Sequence, residues 1–178
     1  MTGLPELPAL RQIIVDAAEQ TGLSNFGLRQ AEAKADGSIV TDLDHEMQRI
    51  ISTQLKSRWP EFFFMGEEMD HGEQAQIVVD GQETGFWALD PLDGTTNFAM
   101  GFPFYGVSLA LVVKGEPILG VVYDPVRREC FSASAGEGAY LDGTPLRTPQ
   151  SPLALRECVA NIDYKRLVSG LALSLIHI

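Results

Sequence analysis

Apolar positions in the first sixty residues recur with the period of a helix. Leu10, Ile13, Ile14 and Ala17 keep the i, i+3, i+4, i+7 spacing of one buried stripe. They predict an amphipathic helix over Pro8 to Thr21, with Gly22 as its stop. Leu43, Met47, Ile50, Ile51 and Leu55 form a second stripe, predicting a helix that begins near Asp42 and ends at Pro60. Thr41 and Asp44 have the spacing of a capping box, with Asp in place of Glu. The turn-rich stretch Ala35-Asp36-Gly37-Ser38 reads as the loop between the helices.

From Phe62 onward the pattern is that of strands. Phe62 to Met65 and Phe86 to Leu89 are short apolar runs, and the polar, Gly-containing stretch Asp70 to Gly85 between them reads as an exposed loop. Tyr105 to Val113 and Ile118 to Tyr123 are rich in β-formers and flank Lys114-Gly115, a hairpin turn. Cys130 to Ala133 adds a strand, and Asp142-Gly143 a turn inside Ala139 to Leu146. Helices first and hairpin-linked strands afterwards predict an α+β fold, two N-terminal helices covering a largely antiparallel sheet. Pro145 to Pro152 reads as a linker, which divides the chain into a domain at 1–150 and the start of a second α/β domain at 151–178. That second part holds a strand at Cys158 to Ala160 and a helix from Tyr164, then closes on an uncapped apolar run. The expectation is a chain truncated inside its second domain, with Ser174 to Ile178 resembling non-native sequence.

Composition narrows the partners. The 178 residues carry 24 acidic and 13 basic side chains, a formal charge of −11, which opposes nucleic acid and anionic membranes as partners. The same field repels a phosphate ester unless bound cations invert it locally. Cys130 and Cys158 form neither a CxxC pair nor a disulfide framework. No signal peptide precedes Leu10, and no apolar run reaches the roughly 18 to 20 residues of a membrane span, so the cytoplasm is the expected compartment. His45, His71 and His177 lack metal-ligand spacing, and Trp59 and Trp87 read as core or anchoring residues.

The chemistry gathers in Asp90-Pro91-Leu92-Asp93-Gly94-Thr95-Thr96-Asn97. Mg²⁺ takes oxygen ligands, commonly a few carboxylates with water and substrate phosphate. A strand ending at Asp90, followed by a turn fixed by Pro91, brings Asp93 back toward the same point and can present the Leu92 carbonyl as a further oxygen. Gly94 permits close backbone approach, and a helix opening at Thr95 and Thr96 offers amides to an anion. Asp-Pro-x-Asp-Gly is equally good chemistry for an ordinary turn, and Glu67-Glu68 is equally a solvated acidic pair.

The longer string Trp-x-x-Asp-Pro-x-Asp-Gly-Thr-Thr-Asn-Phe, Trp87 to Phe98, resembles the signature of the inositol monophosphatase family. Gly66-Glu67-Glu68 looks like the same family's upstream motif. Ser38 to Asp44 is similar to its loop into the second helix, and the resemblance extends from about Arg11 to about Ile162. It implies the first half of a layered αβαβα sugar-phosphatase fold. It also implies Mg²⁺, two or three ions, with inhibition by Li⁺. By resemblance Glu67, Asp90, Asp93 and the Leu92 carbonyl bind metal, and Asp90 bridges two ions. Glu67 and Thr95 orient the attacking water, while Gly94, Thr95 and Thr96 cradle phosphate. Glu68, Asp44 and Lys34 stand behind them.

The implied reaction is hydrolysis of inositol monophosphate, or a related polyol or sugar phosphate, by metal-activated water without a covalent intermediate. The full-length form is expected to be a homodimer. A further metal-binding Asp of the family, in a Trp-Asp-x-Ala-Ala-Gly-like motif, has no counterpart in this sequence. This chain is therefore expected to bind metal weakly and to turn over little. Rival readings are a bisphosphate nucleotidase or fructose-bisphosphatase-like relative, which typically diverges after Thr95, and a haloacid-dehalogenase-type phosphatase, whose carboxylates lie two residues apart rather than three. A non-catalytic fragment or protein-binding scaffold is the alternative outside enzymes.

Overall fold

The computed structural model describes residues 4–23, 31–33 and 39–148. Residues 1–146 form one compact unit and 147–178 a second, of which only Arg147 and Thr148 are among the described residues. Lys34, the Ala35 to Ser38 loop, the strand at Cys158 and the helix from Tyr164 lie outside them.

Both expected helices form. α1 spans Leu7–Thr21 and ends on Gly22 in the left-handed conformation, φ 68°, whose amide returns to Glu19. α2 spans Asp42–Arg58 behind the capping box of Thr41 and Asp44. Their stripes are buried as the spacing requires: Ile13, Ile14, Leu43, Met47, Ile51 and Leu55 have no exposed surface. Each such side chain contributes roughly 1.5–3 kcal/mol on burial. A short antiparallel pair, β1 (Ala31–Ala33) and β2 (Ile39–Thr41), lies between the helices in sequence.

The main sheet has seven strands in sequence order: β3 (Phe63–Gly66), β4 (Phe86–Asp93), β5 (Gly106–Val113), β6 (Glu116–Asp124), β7 (Glu129–Ser134), β8 (Gly138–Leu141) and β9 (Thr144–Pro145). Every neighbouring pair is antiparallel except β3 with β4, which is parallel. The α+β class holds, with that one parallel pair. The β5–β6 hairpin turns at Lys114 and Gly115, both at positive φ, the conformation a two-residue turn needs. Trp87, Leu89, Val107, Leu109, Leu111, Val121 and Tyr123 point into the core with the α1 and α2 stripes. Trp87 meets Phe62 edge-on at 5.8 Å and Trp59 at 5.8 Å, an anchoring role for both indoles.

Three expectations are corrected. Asp70 to Gly85 is not an exposed loop throughout: it contains α3, His71–Asp80, capped by the Asp70 side chain on the Gly72 amide at 2.7 Å. A parallel β3–β4 pair needs a long crossover, most often a helix, and α3 fills it. It buries no residue, so no apolar stripe announces it. β4 does not end at Asp90 but continues to Asp93. Pro145 belongs to the edge strand β9, opposite Tyr140, where a missing N–H is tolerated. No helix among the described residues is long and apolar enough to cross a membrane.

Candidate active site

The signature segment turns through a bulge. Asp90 faces Ser108 and Asp93 faces Gly106, so β4 spends three steps against two on β5. Pro91 has no N–H to pair, and the Leu92 amide donates to Asp90 Oδ1 at 3.1 Å. Pro91 and Leu92 are buried, which pins the bulge from below. Gly94 follows at φ 91°; a Cβ there would lie 3.1 Å from the Phe104 carbonyl and 3.3 Å from Tyr105 Cα. The chain then enters α4, Thr95–Ala99, a single short turn of helix. Phe98 anchors it edge-on against Tyr105 at 5.0 Å.

Glu67 follows Gly66, the last residue of β3, which pairs in parallel with Leu89 of β4, so Glu67 comes level with Asp90 where the β4 bulge begins. Their carboxyl groups share a hydrogen bond. Burial pushes Asp90 up to about 8, and the charge of Glu67, that hydrogen bond and the charge of Asp93 add to it. The Leu92 amide pulls weakly the other way. Near neutral pH Asp90 therefore holds a proton against Glu67, and a divalent cation can take that proton's place.

Thr95 and Asp44 form the other half. Thr95 Oγ1 lies 2.9 Å from the Leu92 carbonyl and 3.2 Å from Asp44 Oδ1. Both neighbours only accept, so the hydroxyl hydrogen is directed to them and its lone pairs are left for a donor. Asp44 is fully buried, and its Oδ2 accepts the Thr41 amide at 2.8 Å and the Thr41 hydroxyl at 2.6 Å. One carboxylate thus caps α2 and grips the loop that carries Thr95.

The structure brings together Glu67 with Asp90, and Thr95 with Asp44 and Leu92. Asp93 is exposed and acts on Asp90 through its charge. Gly94 and Thr96 open α4, Glu68 stands beside Glu67, and Lys34 lies outside the described residues. Among the described residues no three His, Cys, Asp or Glu side chains form a group that could hold a metal by themselves. Mg²⁺ does not demand that, because one or two carboxylates with water and substrate oxygens complete its octahedron. The donor set, hard oxygens around a carboxyl that resists ionisation, fits such a cation.

Sequence reasoning missed the supports of Glu67. Gln48 Oε1 accepts the Glu68 amide at 3.3 Å, and Gln74 Nε2 donates to the Gly66 carbonyl at 2.8 Å and the Glu67 carbonyl at 3.2 Å. Gln48 lies one helical turn after Asp44, a spacing that could have flagged it. Gln74 gave no signal, since it lies on the unannounced α3.

Among the described residues, two cavities lie beside the sheet. One of about 270 Å³ is lined by Asp93, Gly94, Asn97, Tyr105, Ser108 and Asp124. The larger, about 540 Å³, lies between residues 4–11 and the strands β6 to β8; its carboxylates are Glu6, Glu137 and Asp142, none of those at the site. Size does not mark the chemistry here.

The sequence pattern described as the inositol monophosphatase family matches residues 9–172. Inositol monophosphatase 2 of Solanum lycopersicum is 34% identical over 152 residues, 83% of this chain and 57% of that protein. The solved structure of a Thermotoga maritima inositol monophosphatase superposes with a TM-score of 0.68 at 30% identity, covering 81% of this chain and 54% of that one. An inositol monophosphatase/NADP phosphatase crystallised with Mg²⁺ and phosphate superposes at 0.65 and 27% identity, over 82% and 52%. The chain spans little more than half the length of these relatives.

Proposed function

The chain belongs to the inositol monophosphatase family, and from there we propose that Glu67, Asp90, Asp93 and the Leu92 carbonyl are the Mg²⁺ ligands of a phosphomonoesterase acting on inositol monophosphate or a related polyol or sugar phosphate. The observation that carries this reading is the hydrogen-bonded Glu67–Asp90 pair, with Asp90 pushed up to about 8. Two carboxyls pressed together at a strand end are costly for folding alone and useful for a cation.

Mg²⁺ bound there would neutralise phosphate charge and make a water easier to deprotonate. The protein's own contribution is positional. Glu67 and Asp90 accept from or ligate at one point, where β3 ends beside the β4 bulge. Thr95 Oγ1 can accept a hydrogen bond from the attacking water while its own proton points to Asp44 and Leu92. The amides that open α4 at Gly94, Thr95 and Thr96 would donate to the non-bridging oxygens of a bound phosphate. The substrate, the number of ions, Li⁺ inhibition and a homodimer are carried over from the resemblance and belong to this proposal.

The test is an NMR titration of the chain with MgCl₂, following the amide resonances of Glu67 and Asp90. Saturable shifts are expected in the wild type and none in Asp90→Asn. A wild type whose resonances do not move, or an Asp90→Asn chain that titrates alike, would sink the assignment. Phosphate release from inositol 1-phosphate is expected to be weak for these 178 residues, since a further family carboxylate has no counterpart in them; robust Mg²⁺-dependent release would overturn that expectation.

A further inference from the structure

We infer that Gln48 and Gln74 are positioning residues that clamp the Gly66-Glu67-Glu68 backbone and so aim the Glu67 carboxylate at Asp90; the inference rests on the metal-centre reading above. Glu67 is exposed, so its side chain is held, rather than by burial, by its hydrogen bond to Asp90 and by the placement of its backbone. Three elements hold it. The Glu67 amide donates to the Leu89 carbonyl of β4 at 3.0 Å. The next amide, of Glu68, donates to Gln48 of α2, and the carbonyls of Gly66 and Glu67 both accept from Gln74 of α3. The partners fix each amide's orientation: an N–H faces Gln48 Oε1, and two carbonyls face Gln74 Nε2. His71 Nδ1, 3.3 Å from Gln74 Oε1, steadies the outer end.

Two further observations separate a clamp from incidental contact. A Cβ at residue 66 would collide with the Gln48 amide, so the glycine of the motif admits that side chain. α3 buries no residue fully, and the double hydrogen bond from Gln74 ties it directly to the Gly66-Glu67 backbone. α2 then serves both halves of the site from one face: Asp44 holds Thr95, and Gln48, one turn on, holds the Glu67 segment. Partners that orient a metal ligand commonly matter by ten- to a hundredfold in affinity.

The experiment compares wild type, Gln48→Met, Gln48→Glu and Gln74→Glu by two NMR measurements, the MgCl₂ concentration at half-saturation and hydrogen exchange at the Glu68 amide. Gln48→Met should exchange Glu68 at least about tenfold faster and need about tenfold more MgCl₂. Gln48→Glu keeps the acceptor and should keep Glu68 protected. Gln74→Glu adds a negative charge near the site, which alone would tighten Mg²⁺, yet it loses the donor and should weaken it about tenfold. Thermal midpoints within a few degrees of wild type separate these effects from unfolding. Wild-type Mg²⁺ binding in Gln48→Met and Gln74→Glu, or tighter binding in the latter, overturns the clamp and leaves the metal centre standing. A wild type that takes no Mg²⁺ overturns both.

Discussion

Asp90 is partly buried at the β4 bulge, faces one carboxyl directly and feels a second, and each of these opposes its ionisation. Its value of about 8 in the folded chain stands above 3.8, its ordinary value, so between those limits the folded state holds a proton that the unfolded chain has released. Asp90 therefore stabilises the fold fully below pH about 4, and that contribution is lost as the pH rises through about 8. In EDTA, the melting temperature of wild type relative to Asp90→Asn should fall steadily from pH 5 to pH 9 and flatten above it. A difference independent of pH would show that Asp90 is not so perturbed. Gly94 is the other residue the site cannot exchange freely. At φ 91°, with the Phe104 carbonyl close to where a Cβ would stand, Gly94→Ala should cost about 1–3 kcal/mol in chemical denaturation. These two positions were legible because aspartate, proline and glycine in one short string each carry a local meaning. The Glu67–Asp90 contact was not, since it joins strands brought together only by the sheet.

The elements divide by how they are held. α1 and α2 were readable because their stripes are buried against the sheet, and the β5–β6 hairpin because its turn needs positive φ at Lys114 and Gly115. α3 escaped notice because it buries nothing and lies in a crossover that only the parallel β3–β4 pairing requires. The strand interior at Asp90 to Asp93 escaped because a bulge and a turn look alike around proline. That contrast predicts opposite responses to substitution. Ile51→Ala, at a position with no exposed surface, should destabilise by about 2–5 kcal/mol. Val79→Lys on α3, at 66% exposure, should stay within about 0.5 kcal/mol. Equal losses in urea denaturation would mean that α3 packs as part of the core after all.

Across the whole molecule, the charge of −11 would set the order in which a cation and a phosphate bind at the proposed site. Asp90, Glu67 and Asp93 lie within a chain already rich in acid, so the field that gathers a cation also drives off a phosphate. On the proposed reading, an anion would approach the opening turn of α4 only after positive charge had entered beside it. Five residues of helix carry too little dipole to reverse the sign alone. Inorganic phosphate should accordingly leave the Gly94 and Thr95 amide resonances unmoved in EDTA and shift them once MgCl₂ is present. Linkage makes the effect mutual: phosphate must lower the MgCl₂ needed for half-saturation by the factor by which Mg²⁺ strengthens phosphate. Raising NaCl from about 0.05 to 0.5 M should weaken Mg²⁺ binding as the surrounding acidic field is screened, while the coupling at contact range persists. Phosphate binding of equal strength with and without Mg²⁺ would detach the α4 turn from the carboxylates and divide the candidate site in two.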